Sequence, residues 1–349
     1  MSVRKPAIAL FTGDPAGIGP ELVAKLLADG SVARDADVLL VSSREVLEGG
    51  MRAAGVRFAY DEATGAGRTV SLERPILVTS PMIEERGFEQ GVVSAKSGRY
   101  MLDCLAFAVA LCRSGDADAL CFAPLNKGAL RAGGMNHPDE LHWFAEVLGF
   151  RGTCVELNVL EGLWTSRVTS HVPLSAVSGL ITTEKVAEAV QLIHEALARS
   201  GLAAPRVAVC GLNPHNGDNG AFGREEMDVI GPGVELARDR GFPADGPYPA
   251  DTVFVRATRK EGGYDGVVTM YHDQGQIAMK LLGFERGVTV QGGLPIPIAT
   301  PAHGTAYDIA GRGVANGNAM RNAFELACRM AQATRRDAPA SGEAKSLGH

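Results

Sequence analysis

Short apolar or β-branched runs alternate along the chain with segments whose apolar residues recur at helical spacing. That is the pattern of an α/β fold on a mainly parallel sheet. Ala7–Thr12, Val38–Ser42, Ala119–Phe122, Arg167–Ser170, Arg206–Gly211 and Gly266–Met270 read as strands. The clearest helix runs from Thr183 to Ser200, opening on threonine, with Val186, Val190, Ile193 and Leu197 on one face and Gly201 past its end. Another starts at Pro20, where proline suits the first turn and Glu21 the positive end. Arg52–Arg68 reads as a surface connection and Asp337–His349 as a frayed tail.

A chain of 349 residues exceeds the usual single-domain size, so two domains sharing a cleft are expected. Hydrophobic content of 46% supports a real core. The net charge of -6, with neither sign gathered into runs, argues against nucleic acid as a partner. The apolar runs Ala7–Phe11 and Leu105–Cys112 are too brief for a signal peptide or a membrane span. Six scattered cysteines, at 104, 112, 121, 154, 210 and 328, form no CxxC pair and read as buried thiols in a reducing compartment. A cytoplasmic globular protein is expected.

The chemistry lies where strands end. Asp14 follows the first strand, Asn126-Lys127 the third, His171 the fourth, His215 the fifth and His272-Asp273 the sixth. Open parallel sheets bind ligands in the crevice beyond the carboxyl ends of their strands. Taken singly, each histidine reads most simply as a hydrogen-bonded structural residue. Their shared position makes His171, His215 and His272 candidate ligands of a divalent ion. His194, mid-helix, reads as an edge residue.

Gly13–Glu21 is a strand–turn–helix junction without GxGxxG spacing, and as readily a tight corner as a phosphate-binding turn. The run His303-Gly304-Thr305-Ala306-Tyr307-Asp308-Ile309-Ala310-Gly311-Arg312-Gly313-Val314-Ala315-Asn316 is more specific. It resembles the coenzyme loop of the isocitrate and isopropylmalate dehydrogenases. That likeness implies that NAD binds at His303, Gly304, Asp308, Gly311, Arg312, Gly313 and Asn316. The glycines would let backbone approach the adenosine and Asp308 would accept from the ribose. An acidic residue there favours NAD over NADP, although Arg312 could accommodate a 2′-phosphate.

The blocks GDPAGIGPEL (13–22), APLNKG (123–128), SHVPL (170–174), GLNPHNGDNGAFGREE (211–226), GPYPADT (246–252), MYHDQG (270–275) and HGTAYDIAGRGVAN (303–316) together resemble the 4-hydroxythreonine-4-phosphate dehydrogenase family. The resemblance spans roughly residues 7 to 325. It implies two α/β/α domains flanking a central cleft, isocitrate/isopropylmalate dehydrogenase-like. Residues 1–130 with 282–349 would form the domain carrying the coenzyme loop, and 131–281 the domain carrying metal ligands and dimer contacts. His171, His215 and His272 would bind the ion, one of them supplied by the neighbouring subunit of a homodimer. Zinc is the first choice, with magnesium, manganese or cobalt as alternatives. Lys280 would contact substrate and Asp251 would sit beside the metal, either one serving as general base through water.

The substrate end departs from that family. Its Gly-His-Thr-Glu motif falls, by ungapped counting, on Glu140, Leu141 and His142; a gapped alignment offers His137, Pro138 and Asp139. Thr289 stands where the family has asparagine and Ile298 where it has arginine. Losing an arginine removes a forked donor suited to anions. The expected activity is therefore oxidation, with decarboxylation, of a hydroxyl β to a carboxylate in a changed substrate, a dihydrodiol carboxylate or sugar acid. The alternatives are a genuine 4-hydroxythreonine-4-phosphate dehydrogenase of vitamin B6 biosynthesis, a metal-dependent acyl or phosphoryl transferase, and an inactive binding protein on this scaffold.

Overall fold

A computed structural model describes residues 4–65, 73–81, 83 and 87–337. Its twelve strands are β1 (Ala7–Phe11), β2 (Asp37–Val41), β3 (Asp61–Thr64), β4 (Ile76–Thr79), β5 (Ala119–Phe122), β6 (Val155–Leu160), β7 (Leu163–Arg167), β8 (Val207–Cys210), β9 (Ala244–Tyr248), β10 (Gly266–Thr269), β11 (Val288–Gly292) and β12 (Ile298–Pro301). They form one sheet in the order β3-β4-β2-β1-β5-β12-β11-β6-β7-β10-β8-β9. Pairing is parallel on both flanks and antiparallel only at β12–β11, β11–β6 and β6–β7 in the middle. Residues 1–130 with 282–349 supply the seven strands from β3 to β11 of that order, and 131–281 the other five. The two halves join without a break through β6 and β11.

Alternation along the strands divides the core. Ile8, Leu10, Cys121, Leu157, Val159, Val209, Val268, Val288 and Val290 face one side and belong to one apolar cluster that spans the sheet. It is covered by α1 (Gly19–Ala28), α8 (Thr183–Arg199) and α12 (Asn318–Asp337), the last carrying buried Phe324. On the opposite face Ala9, Phe11, Leu120, Phe122 and Ile298 pack under α4 (Ala95–Arg113), α5 (Lys127–Ala132) and α6 (Glu140–Val147). Ala208, Cys210 and Val267 pack separately under α10 (Ala250–Ala257) and α11 (His272–Gly283). Between these two clusters the same face of β11, β6 and β7 carries Thr289, Gln291, Glu156, Asn158, Thr165 and Arg167, a polar stripe.

Helix α8 forms as the pattern predicts, with Thr182 capping the Lys185 amide and Val186, Val190, Ile193 and Leu197 buried. Three boundaries differ from expectation. Strand β7 ends at Arg167 instead of starting there, and Thr165 and Arg167 of the polar stripe interrupt the apolar run that would have marked it. The expected connection Arg52–Arg68 holds the end of α3 (Arg44–Ala54) and the exposed edge strand β3, with 66–68 outside the described residues. Helix α6 falls within 131–281, yet its Leu141 and Phe144 pack with Phe122 of the other half. Of the expected tail, Asp337 closes α12 and 338–349 lie outside the described residues.

All six cysteines are free thiols, five of them buried, and burial pushes Cys112 up to about 12. No described helix is long and apolar enough to cross a membrane.

Candidate active site

Strands β7, β10 and β8 are parallel neighbours, so their carboxyl ends open on the same edge. Past β7, Val168 and Thr169 still donate to Thr269 and Met270 carbonyls, which carries the chain to His171. His272 opens α11 directly after β10. The His171 and His272 rings lie with centroids 5.5 Å apart. Two imidazoles sharing a tetrahedral ion at bonds of about 2.0–2.1 Å have centres about 5 Å apart, so this pair fits a divalent ion. Gln274 ties the strand ends together, accepting from the Met270 amide at 2.7 Å and donating to the Gly211 carbonyl at 2.9 Å.

His215 sits in a conformation that L-residues rarely hold. His215, Asn216, Gly217, Asp218 and Asn219 all have positive φ, a left-handed turn just past β8, and His171 also has φ of 52°. Consecutive left-handed residues cost energy and persist only where the surroundings impose them. Buried Glu226 does so here. It accepts from the Leu212 and Asn213 amides, both at 2.7 Å, and from the Asn213 side chain at 2.9 Å. Burial pushes the Glu226 carboxyl up, but these donors outweigh it and hold it below the usual range. A Cβ at Gly217 would stand 2.7 Å from Glu226 Oε2, so only glycine fits. The His215 ring lies near exposed Phe222, and among the described residues no three His, Cys, Asp or Glu side chains converge tightly enough to hold an ion within one chain.

Lys280 is exposed two turns beyond His272 on α11, and Asp251 is exposed in the first turn of α10. Of the other expected substrate contacts, Leu141 is 4% exposed and Ile298 fully buried, both in the core under α6. Neither offers surface to a ligand, which corrects their reading as contacts. Asp139 caps α6, accepting from the His142 amide at 3.0 Å and pairing with His142 Nδ1 at 2.6 Å. Glu140 faces inward, 3.9 Å from Lys127; burial raises its carboxyl above the ordinary range while Lys127 opposes the shift. Asn126, expected among the reactive strand-end residues, caps α5 through the Ala129 amide.

The coenzyme-like loop is docked onto the first strand–turn–helix. Tyr307 donates to Asp14 at 2.5 Å, and the Ile18 amide donates to the Thr305 carbonyl at 3.0 Å. Glu21 accepts from the Gly313 and Ala315 amides, while Lys25 donates to the carbonyls of the same two residues. Burial raises the Asp14 carboxyl above its usual value, with the Tyr307 and Ala16 hydrogen bonds opposing. Gly13, at φ 75°, lets this turn lie on the 123–128 block, since a Cβ there would meet the Ala123 and Pro124 carbonyls within 2.7 Å. Thus 13–25 supports the loop 303–316, leaving Gly304, Asp308, Gly311, Arg312 and Asn316 exposed. His303 Nδ1 lies 3.0 Å from the Gly304 carbonyl, and Asn316 donates to Glu285. A cavity of about 430 Å³ adjoins Gly311, lined also by Pro15, Gly17, Glu45, Arg52 and Gln90.

The polar stripe was missed by reading solid apolar runs as strands. The signal was present in the period-two alternation of Val-Glu-Leu-Asn-Val-Leu in β6 and Val-Thr-Val-Gln in β11. Arg167 is buried there, donating to Glu156 at 3.0 Å, Asn158 at 3.1 Å and Ser170 at 2.8 Å. Burial pulls its guanidinium below the ordinary value and Glu156 opposes the shift.

Residues 34–327 match the family described as pyridoxal phosphate biosynthetic protein PdxA. The chain belongs to the PdxA family. It is 58% identical over 327 residues to a Pseudomonas aeruginosa protein provisionally named 4-hydroxythreonine-4-phosphate dehydrogenase 2, covering 93% of this chain and 97% of that one. It is 40% identical over 342 residues to the D-threonate 4-phosphate dehydrogenase of Cupriavidus necator, covering 95% and 100%. A crystal structure of 4-hydroxythreonine-4-phosphate dehydrogenase from Klebsiella pneumoniae superposes with TM-score 0.81 at 34% identity, covering 95% of this chain and all of that one. A terephthalate 1,2-cis-dihydrodiol dehydrogenase from Burkholderia xenovorans superposes with TM-score 0.66 at 26% identity, covering 93% and 98%. The fold is therefore that of the PdxA structures.

Proposed function

We propose that this PdxA-family chain is an NAD- and divalent-metal-dependent dehydrogenase. It oxidises a hydroxyl β to a carboxylate in a sugar-acid-type substrate without a phosphate, and the β-keto acid then loses carbon dioxide. The dehydrogenase names of its relatives support the redox reading. The observation that carries the changed substrate is the burial of Ile298 in the core, at the position where the resemblance places an arginine. Genuine 4-hydroxythreonine-4-phosphate turnover in vitamin B6 biosynthesis is the second reading, favoured by the phosphorylated substrates in those same names.

When bound, the divalent ion, zinc by first choice, would supply Lewis-acid activation of the substrate hydroxyl, and NAD would supply the hydride acceptor. His171 and His272 would hold the ion, with His215 in the same ligand set. A homodimer completes the site, one imidazole coming from the neighbouring copy. In its support, exposed Val172, Leu174, Phe222, Val255, Ile277 and Leu281 lie on the elements that carry these histidines, Asp251 and Lys280. Lys280 positions the substrate carboxylate, and it or Asp251 takes the hydroxyl proton through water. Asp308 would accept from the adenosine ribose, and the loop's docking on 13–25 keeps that residue in place. The two halves of the sheet act as domains flanking the furrow, and the enzyme works in the cytoplasm.

The test is coenzyme absorbance on addition of hydroxy acids, before and after chelation. Activity lost to a chelator and restored by zinc supports the reading; full activity of metal-free protein, or no NADH with any acid, contradicts it.

A further inference from the structure

The antiparallel register makes Gln291 the Cα partner of Glu156, and Thr289 that of Asn158. All four side chains therefore project from the interrupted face. Gln291 is 2% exposed, yet its amide oxygen and nitrogen have no hydrogen-bond partner among the described residues. Glu140 Oε2 is likewise buried without a hydrogen bond, its nearest cation being Lys127 at 3.9 Å. Buried polar atoms are almost always paired, because leaving them unpaired forfeits their hydration. Gln291 and Glu140 thus hold unused hydrogen-bonding capacity beside the polar stripe.

The network beside them has a fixed polarity. A guanidinium only donates, so Asn158 Oδ1 must accept from Arg167, as it also does from Gln276 at 2.5 Å. The Asn158 amide nitrogen is then turned toward Thr289 Oγ1, at 3.4 Å. Thr289 is left with its hydroxyl proton to donate outward, and Gln276 with its carbonyl oxygen to accept. Arg167 is already matched by Glu156, and Lys127 by Glu140. The furrow thus presents paired charges and several neutral donors and acceptors.

We infer that Gln291, Thr289 and Glu140 form a substrate subsite for an uncharged, hydroxyl-bearing group, and that this subsite sets the enzyme's preference for unphosphorylated acids. It rests on the dehydrogenase reading and adds what is recognised beyond the metal. Gln291 gives one donor and one acceptor to neighbouring hydroxyls, and Thr289 donates to a third oxygen. Glu140, raised by its burial, takes a hydrogen bond when ionised and gives one when protonated. A phosphate dianion entering here would meet the Glu140 and Glu156 carboxylates with no surplus arginine to offset them.

Calorimetric titration of the zinc-loaded wild type, Gln291→Leu and Thr289→Val with D-threonate and D-threonate 4-phosphate tests this. The expected result is at least about tenfold tighter wild-type binding of D-threonate. Gln291→Leu should weaken that binding by about ten- to a hundredfold, and Thr289→Val by less. The melting temperature of free Gln291→Leu should hold or rise, since an unpaired buried amide is removed; a purely structural glutamine would lower it. Tighter wild-type binding of the phosphate ester, wild-type affinity in Gln291→Leu, or no binding of D-threonate overturns the subsite. NADH formation is read separately: selective binding without it leaves the subsite standing and removes the dehydrogenase reading.

Discussion

The two faces of the sheet are built differently. One is covered by a single apolar cluster running from β4 to β9, with α1, α8 and α12 laid across it. The other has two apolar clusters with the polar side chains of Glu156, Asn158, Arg167, Thr289 and Gln291 between them, buried or half-buried. The continuous face holds the two halves of the chain together. The interrupted face gives up that burial along three strands, and it is there that Lys127, Glu140 and Gln276 reach in from the covering helices. One face makes the fold and the other leaves room for chemistry.

Substitutions can break that division. His272→Ala should lower activity on the order of 10⁴-fold, about 5.5 kcal/mol of barrier, while its melting curve stays close to wild type. Steady-state rates with metal analysis check this, and an active zinc-free variant would remove the ligand assignment. Phe324→Ala, on the continuous face, should cost about 3–5 kcal/mol of stability in denaturant titrations and leave KM values unchanged. A shift in substrate KM there would show that the faces are not separate.

Smaller effects sharpen the comparison at the coenzyme loop. Glu21→Gln weakens the hold on the Gly313 and Ala315 amides, so KM for NAD should rise about tenfold with kcat nearly constant. Equal loss of kcat and of kcat/KM would mean that Glu21 acts beyond loop placement. Asp308→Asn should narrow the preference for NAD over NADP by about five- to tenfold, read as the ratio of kcat/KM values. An unchanged ratio would take the ribose contact away from Asp308.

Much of the continuous face is legible in the chain. Solid apolar runs such as Ala7–Phe11 and the helical stripe of α8 are signals that burial writes directly. The metal candidates were legible by position, since His171, His215 and His272 each follow a strand. Their conformations were less so: Asn216, Gly217, Asp218 and Asn219 are types that favour left-handed backbone, but nothing in the run shows that Glu226, seven residues downstream, braces its start. Nor does the block 13–22 reveal itself as the support for a loop nearly three hundred residues away, because Glu21 and Gly313 meet only through the fold. The furrow hid for a related reason. Strands lining it are half polar, so β6 and β11 lack solid apolar runs, and β7 was read from its wrong end. Leu141 was placed by counting along a motif and Ile298 by resemblance, and neither shows that the side chain turns into the core.

The central claim is a metal-dependent oxidation whose substrate carries no phosphate. Steady-state NADH production by the zinc-loaded enzyme tests it most directly, comparing D-threonate with 4-hydroxythreonine-4-phosphate at equal coenzyme. The account predicts kcat/KM at least about tenfold higher for D-threonate, with both rates abolished by chelation. Efficient turnover of 4-hydroxythreonine-4-phosphate, on the order of 10⁴ M⁻¹s⁻¹ or above, would contradict it.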